Sequence, residues 1–449
     1  MARQPAPSRL PAYQGEGVTV YLGDAREVMA DLPTESIDCV VSSPPYWGLR
    51  DFGVSPTVWG GEPGCRHRWG TLLRERRGDL LPSDLTTRSA RVGLTDRQDE
   101  AATNPGVPAK PASWGGNGGR MCANCGAWLG GLGLEPSPSL FVAHLVEVFR
   151  GVRRLLKPTG TVWLNLGDTF YHTGKVRGAA EPGLKPKDLI GIPWRAALAL
   201  QADGWWLRSD LVWCKPNPVP EPSRDRPIRA HEYVFLLSKQ PHYYYDAEAV
   251  REPAVSGRSD GRTRGRGAPK YAQIRDPMLR AGSAYAQRPA PASPDRHKRS
   301  FWVLATEPFH GSHTATFPTR LVEPCVLAGT SAAGCCSACG QPFERVLEVT
   351  YRPLSRRREG RNDPRIFEIE QRQAREARTL GWRPTCNCGA PSSPAVVMDP
   401  FVGTGTTLKV AQSLGRHGIG IELRASYLEL IKRRLLRQTQ HSVQRQRAA

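Results

Sequence analysis

The feature that most constrains this chain is a strand, glycine-rich turn, helix and second strand close to its C-terminal end. The segment reads AVVMDPFVGTGTTLKVAQSLGRHGIGIE over 395–422. We expect the first strand to end at Met398, the helix to begin near Thr404, and the second strand to end in Glu422. Two glycines in such a turn let the backbone approach a ligand closely, and an acid after the next strand can hold the hydroxyls of a ribose. This unit predicts an open α/β sheet with a ligand at its carboxyl edge.

The turn is not a phosphate-binding sequence. It is neither GxGxxG nor a P-loop, because no Gly-Lys-Ser/Thr follows the glycines. Asp399 and Pro400 precede them, and an acid at this position suits a cationic ligand such as an amino-acid ammonium. The expected ligand therefore combines a nucleoside with a cationic group.

A second unusual stretch lies near the other end of the chain, where a buried-looking strand runs into SSPPYW at 42–47. Proline ends strand pairing and fixes the backbone, and it holds the preceding residue in extended geometry. The expected product is a rigid loop that presents carbonyl oxygens and aromatic faces to a flat molecule. Taken alone, the stretch also suits an ordinary turn that ends a strand beside core aromatics.

Strands and helices alternate between these two stretches. Strands are expected at 17–25, 36–43, 161–170, 205–215 and 230–239, and helices at 139–156, with Ser139 as the N-cap, and 188–204. This alternation predicts an α/β protein with a mostly parallel sheet covered on both faces.

The two unusual stretches together resemble the amino-type DNA methyltransferases, which transfer a methyl group from S-adenosylmethionine to exocyclic amines of bases. SSPPYW before DPFVGTGTT, the catalytic motif first and the cofactor motif last, is the order of the β group of that family. The resemblance covers roughly 17–52, 139–250 and 300–449. It implies a Rossmann-like sheet of seven strands with a circularly permuted motif order, and double-stranded DNA as the substrate.

The resemblance assigns roles residue by residue. The catalytic residues it implies lie in the Pro-Pro loop: Ser43, Pro44, Pro45 and Tyr46. The cofactor-binding residues it implies are Asp24 at the adenine, Pro318 and Thr319 near the methionine part, and Asp399, Phe401, Gly403, Gly405, Thr406 and Glu422 around the glycine turn. Direct transfer needs an oriented amine lone pair and acceptors for its hydrogens, which Ser43 Oγ and the Pro44 carbonyl supply. The base must be flipped out of the duplex, and Tyr46 offers a face for it to stack on.

Ser43 bears on the identity of the target base. In the resembling family a serine before Pro-Pro tends to accompany cytosine N4, and an aspartate adenine N6. Cytosine N4 is therefore the expected target, with adenine N6 as the alternative. His231 and Glu232, in a stretch that also resembles the family, are expected to be structural rather than general bases, because methyl transfer needs only a weak proton acceptor.

Eleven cysteines suggest metal binding, because several of them fall in close pairs. Cys65, His67, Cys122 and Cys125 form one candidate zinc set. A second set contains Cys339, Cys386, Cys388 and either Cys335 or Cys336; Cys336 is preferred because it gives C-x2-C with Cys339. Both sets are expected to be structural zinc sites in insertions of the sheet.

Charge and composition favour a polyanionic partner. Lys and Arg number 62 against 42 Asp and Glu, a net charge of +20. Residues 251–300 carry twelve basic and four acidic residues and are expected to be a flexible arm that contacts phosphates. No apolar stretch suits a membrane span or a secretory signal, so a cytoplasmic protein without membrane contacts is expected.

These observations divide the chain into five expected parts. The catalytic half is 17–47 with 139–250, and the cofactor half is 301–332 with 393–440. The zinc-bearing insertions are 48–138 and 333–392, and the basic arm is 251–300. A cognate restriction endonuclease is a further candidate partner. Two other functions stay open: methylation of an RNA or protein amine, and DNA binding by a zinc protein without catalysis.

Overall fold

The computed structural model describes residues 9–49, 51–73, 118–171, 181–253, 295–307, 317–353 and 373–448. The helices are α1 (Ala25–Asp31), α2 (Pro138–Leu155), α3 (Ile192–Ala202), α4 (Thr319–Gly329), α5 (Thr406–Ser413) and α6 (Ala425–Ala448). The first nine strands are β1 (Tyr13–Gly15), β2 (Val18–Leu22), β3 (Ile37–Ser42), β4 (Thr57–Trp59), β5 (Arg120–Met121), β6 (Trp128–Gly130), β7 (Leu156–Leu166), β8 (Trp206–Cys214) and β9 (His231–Ser238). The others are β10 (Glu252–Pro253), β11 (Asp295–Arg296), β12 (Phe301–Val303), β13 (Cys335–Cys336), β14 (Glu344–Pro353), β15 (Gln373–Arg383), β16 (Ser392–Ser393), β17 (Val396–Asp399) and β18 (His417–Glu422).

One mixed sheet organises the molecule, in the order β1-β2-β18-β17-β3-β7-β9-β8-β12. The run from β2 to β7 is parallel, and β9 is antiparallel to both of its neighbours. The expected mostly parallel α/β sheet is confirmed. Its seven-strand core, β2 to β8 in this order, gains the three-residue strands β1 and β12 at its edges. Two strands from the C-terminal end of the chain thus lie between two strands from its N-terminal end.

Both faces of the sheet are covered because successive side chains of a strand point to opposite sides. Val40 of β3 packs in a core with residues of α1, α2 and α3, including Met29 and Phe149. Cys39 and Val41 point the other way and pack with α4 and α5. Helix α6 closes a smaller core over β2 through Ile431 and Leu435. Helices therefore cover both faces of the main sheet.

Local chemistry sets the ends of two helices differently from expectation. Helix α2 is capped by Ser137, whose side chain accepts from the Leu140 N–H at 3.2 Å, with Pro138 as the first helical residue. Ser139 lies inside the first turn instead and donates to Glu181. Helix α5 begins at Thr406 rather than near Thr404, because the glycine turn continues to its N-cap at Gly405.

The insertions lie at opposite edges of the main sheet. A small sheet, β4-β6-β5, lies near α1 and α2, and the first cysteine set lies in the loops beside its strands. The second set adjoins β13, where the Cys335 thiol donates to Asp38 at 3.2 Å. Asp38 is the second residue of β3 and also accepts from the N–H of Val396, the first residue of β17, so this set lies at the amino edge of the main sheet. Most of the expected basic arm, 254–294, lies outside the described residues.

Candidate active site

Four adjacent strands end at one edge of the sheet and carry the polar residues of the candidate site. Asp24 follows β2, Glu422 ends β18, Asp399 ends β17, and Ser43 follows β3. The glycine turn and the Pro-Pro loop therefore lie on neighbouring strands despite their separation in sequence. Open α/β sheets bind ligands at the carboxyl ends of such strands.

Asp399 joins the two loops directly. Its buried carboxylate accepts from Ser42 Oγ at 2.6 Å, from Thr407 Oγ1 at 2.8 Å and from the Phe401 N–H at 3.0 Å. Burial raises the pKa of Asp399 to about 6, although these donors oppose the shift. A carboxylate has about four acceptor positions, and three are used here. Asp399 therefore ties β3 to α5 and has little capacity left for a ligand's ammonium.

Glu422 faces the glycine turn. Its carboxylate accepts from the Gly403 N–H at 2.9 Å and from the Arg424 N–H at 2.8 Å. Gly403 and Gly405 have φ values of +52° and +80°, which glycine adopts without strain. Burial raises the pKa of Glu422 to about 7. The remaining acceptor positions of this acid suit the two hydroxyls of a ribose.

Asp24 is held by its neighbour Arg26. The carboxylate caps α1 by accepting from the Arg26 N–H at 2.9 Å, and it pairs with the Arg26 guanidinium at 2.8 Å. Burial opposes ionisation of Asp24, but the bonds and charge of Arg26 outweigh it and lower the pKa of Asp24. The acid assigned to the adenine is thus ionised and fixed in orientation.

The remaining cofactor candidates lie at the start of α4 and around α5. Pro318 is the N-cap of α4, and Thr319 donates to the Glu307 carboxylate from its N–H at 3.0 Å and its hydroxyl at 2.9 Å. Thr406 Oγ1 accepts from Arg434 at 2.9 Å. The start of α4 thus already contacts the Glu307 carboxylate.

The Pro-Pro loop is fixed by a chain of hydrogen bonds. Ser43 Oγ donates to the Tyr46 hydroxyl at 3.1 Å, and that hydroxyl donates to Glu232 Oε2 at 2.7 Å. Asn165 donates to the same hydroxyl at 2.7 Å and to Glu232 at 2.9 Å, and Lys215 forms an ion pair with Glu232. Burial opposes ionisation of Glu232, but the Lys215 charge prevails and lowers its pKa. Glu232 is therefore a weak base that orients Tyr46.

The Tyr46 ring has one face against the backbone. A Cβ placed on Gly167 would lie 2.6 Å from Tyr46 Cε2, so only glycine fits there. Burial raises the pKa of Tyr46 well above its usual value, and the Glu232 charge adds to this effect. Pro44 beside it is buried and Pro45 is half-buried. A neutral, rigid aromatic ring results.

The structure brings each cysteine set together. The ligand atoms of Cys65, His67, Cys122 and Cys125 all lie within 4.8 Å of one another. The same holds for the second set, Cys336, Cys339, Cys386 and Cys388. Four Cys or His ligands in this arrangement suit tetrahedral zinc.

Several residues of the site escaped the sequence analysis. Arg26, Asn165, Lys215 and Glu307 each bind a candidate residue through a side chain. Only Asn165 had a local signal, since it lies near the carboxyl end of a strand in LNLGD. The other three depend on which loops face each other.

Known proteins are similar in sequence to this chain along nearly all of its length. A family model described as DNA methylase matches residues 37–336 and 392–433. The chain is 31% identical over 433 residues to the type II methyltransferase M.SmaI of Serratia marcescens, covering 93% of this chain and 90% of the relative. It is 30% identical over 434 residues to M.Cfr9I of Citrobacter freundii, covering 93% and 88%. Among solved structures, the PvuII DNA methyltransferase (cytosine-N4-specific) aligns with a TM-score of 0.45 and 14% identity, covering 96% of this chain and 90% of that one.

Proposed function

This chain belongs to the DNA methylase family of N6 and N4 amino-methyltransferases, and from that premise we propose that it methylates the N4 amine of a cytosine flipped out of duplex DNA. Methyl transfer to DNA from S-adenosylmethionine is the family's activity. The observation that carries the proposal is the 2.6 Å bond from Ser42 to Asp399, because it joins the Pro-Pro loop to the glycine turn. The choice of cytosine rests on Ser43.

The hydrogen-bond chain supports a role for Ser43 as an acceptor. Its proton is directed at Tyr46, whose own proton is directed at Glu232. One lone pair of Ser43 Oγ accepts from Asn165 Nδ2 at 3.4 Å; the other can accept an amine N–H, and the anionic end of the chain polarises it. Together with the Pro44 carbonyl, it would hold the amine so that the lone pair of the amine faces the cofactor methyl. The free face of Tyr46 would stack on the base.

We propose that the cofactor binds along the same carboxyl edge of the main sheet. We assign the adenine to Asp24, the ribose to Glu422 and the methionine part to the start of α4 at Pro318 and Thr319. The glycine turn, with Phe401 and Thr406, would enclose the cofactor between them. Asp399 acts in this proposal by holding the turn, not by binding the ammonium.

Target-base identity is tested by expressing the protein in cells that lack DNA methylation. Nucleosides from digested DNA are then weighed by mass spectrometry. We expect N4-methylcytosine. Detection of N6-methyladenine would instead support the alternative target, adenine N6. Neither mark, with cofactor binding intact, would favour an RNA or protein amine, or a DNA-binding protein without catalysis.

The relatives are named type II methyltransferases, so a cognate endonuclease is proposed as a functional partner.

Glu232 provides a test of how the proton is handled. We expect Glu232→Gln to keep the Tyr46 hydrogen bond, with the amide oxygen as acceptor, and to lower kcat by about tenfold or less, since exchanging a charged acceptor for a neutral one costs about 1 kcal/mol. The pH profile of kcat should not change shape. A general base at this position would instead give a collapse of kcat, measured by transfer of labelled methyl groups to DNA.

The pKa of Glu422 gives a pH prediction. A ribose hydroxyl bonds best to the carboxylate, so the cofactor should bind the ionised form. Because the pKa of Glu422 is about 7, affinity for S-adenosylmethionine should rise about tenfold from pH 6 to pH 8. Titration calorimetry at each pH measures this. In Glu422→Gln the affinity should be weaker and nearly independent of pH; an equal slope in both proteins would contradict the assignment.

We further propose that each cysteine set holds one structural zinc ion. Four protein ligands leave no open position, which is typical of structural sites. The expected zinc content is two ions per chain by mass spectrometry. Loss of one ion in Cys122→Ser and of one in Cys386→Ser would assign the ions separately.

A further inference from the structure

The first cysteine set lies next to the cofactor side of the sheet, and a continuous series of contacts runs from its ligands to Asp24. Cys122 and Cys125 belong to a tight turn between β5 and β6. In that turn the Cys122 N–H donates to the Ala127 carbonyl at 2.7 Å, and the Gly126 N–H donates to the Cys122 carbonyl at 3.0 Å. The position of the ligand turn therefore sets the position of both strands.

Strand β4 is held by the same turn. It pairs with β6, with Val58 opposite Leu129. The chain that follows β4 packs closely against this turn at Gly61. A Cβ on Gly61 would lie 2.9 Å from Cys125 Sγ and 2.6 Å from Ala127 Cβ. A metal that draws Cys65 and His67 to Cys125 would keep this segment in place.

Strand β4 in turn holds Arg26. The Val58 carbonyl accepts from Arg26 Nη1 at 2.9 Å, and the guanidinium lies 3.6 Å from the centroid of the Trp59 ring. Arg26 also pairs with Glu147 of α2 at 2.7 Å. Its remaining nitrogens bind the Asp24 carboxylate at 2.8 and 3.1 Å. The orientation of Asp24 thus depends on a strand of the insertion.

The size of the small sheet limits how far it can stabilise itself. Its three strands have only two or three residues each. Two tryptophans, Trp59 and Trp128, attach it to the main core. Strands this short are marginal without a further constraint, and a structural metal supplies one by joining distant ligands.

We propose that zinc in the first cysteine set is a positioning element for the cofactor: its occupancy fixes β4 and Arg26, and through them the acid that contacts the adenine of S-adenosylmethionine. The inference rests on the proposed function in one respect, the assignment of Asp24 to the cofactor. The second set, at the amino edge of the sheet, lacks such a connection among the described residues.

The two sets provide a matched pair of variants. Cys122→Ser and Cys386→Ser each remove one ligand of one set, and each is expected to lose one zinc ion. Affinity for S-adenosylmethionine, measured by calorimetry, should fall about tenfold or more in Cys122→Ser. The reason is that a displaced Asp24 would lose its charged hydrogen bond to the adenine of the cofactor. In Cys386→Ser it should stay within about twofold of the original protein. Circular dichroism and melting curves check that both variants fold.

A second variant keeps the test decisive if Cys122→Ser does not fold. Arg26→Gln leaves the ligands untouched, so it should retain two zinc ions and show the same loss of cofactor affinity. Three results would overturn the inference: Cys122→Ser that keeps its zinc, Cys122→Ser that loses zinc but binds the cofactor normally, or equal losses of affinity in both cysteine variants. Failure of the unaltered protein to bind S-adenosylmethionine would instead refute the proposed function.

Discussion

Replacing Tyr46 by alanine is expected to lower kcat for DNA methylation by about 10²–10³-fold, while affinity for S-adenosylmethionine stays within about twofold. The variant removes the ring that the base would stack on. It also leaves Ser43 without the acceptor that directs its proton. Both losses act on the base and its amine, and neither touches the residues assigned to the cofactor.

Two further variants separate the ring from its hydroxyl. Tyr46→Phe keeps the stacking face but loses the bond to Glu232 at 2.7 Å, so we expect a smaller loss of about tenfold. Ser43→Ala removes the proposed acceptor of the amine hydrogen and should lower kcat about 10²-fold. Single-turnover transfer of labelled methyl groups gives the rates, and calorimetry gives the cofactor affinity. A parallel loss of cofactor binding in Tyr46→Ala would place the base pocket elsewhere.

The second large effect is expected for Asp399→Ala, which should abolish measurable cofactor binding and lower the free energy of unfolding by about 3 kcal/mol or more. The substitution leaves the Ser42 hydroxyl and the Phe401 N–H without their acceptor, and the Thr407 hydroxyl keeps only its bond to the Val41 carbonyl at 3.2 Å. The glycine turn would then separate from β3. Asp399→Asn retains one acceptor oxygen, so its losses of cofactor affinity and of unfolding free energy should both be smaller.

Asp168 is a matched control for this variant. It too is a buried aspartate that accepts from backbone N–H groups, those of Thr169 at 2.8 Å and of Gly191 and Ile192 at 3.0 Å. Asp168→Ala should destabilise the fold to a similar degree and leave cofactor affinity nearly unchanged. Equal effects of the two variants on the cofactor would mean that Asp399 acts only through general stability. Chemical denaturation and calorimetry distinguish these outcomes.

The sequence predicts those features of the fold that depend on residues close together in the chain. Alternation of strands and helices, the glycine turn and the acid that ends β18 are local patterns, and they led to the sheet that the structure has. Short edge strands such as β1, with three residues, carry too little periodicity to be recognised. The N-cap of α2 was assigned two residues late because two serines flank the proline and both are good caps.

Contacts between distant parts of the chain cannot be predicted from such local patterns. The bond from Ser42 to Asp399 spans 357 positions and depends on which strands become neighbours. Glu232 could be placed on a strand, but its Lys215 partner depends on how two antiparallel strands align. Arg26 was missed because an arginine after an N-cap is ordinary on any helix. Its function is visible only when β4 is seen to lie against it.

The strand order also has a consequence for how the chain folds during its synthesis. Strands β17 and β18 lie between β2 and β3, although about 350 residues separate β3 from β17 in the sequence. At ~5–20 residues per second, a ribosome leaves β2 and β3 each without one of its two neighbours in the sheet for roughly 20–70 s. The centre of the sheet is thus the last part to be made, and a nascent chain released early exposes two unpaired strand edges. Protection of those edges, by a chaperone or by transient pairing, is a requirement that a chain of the opposite motif order would not share.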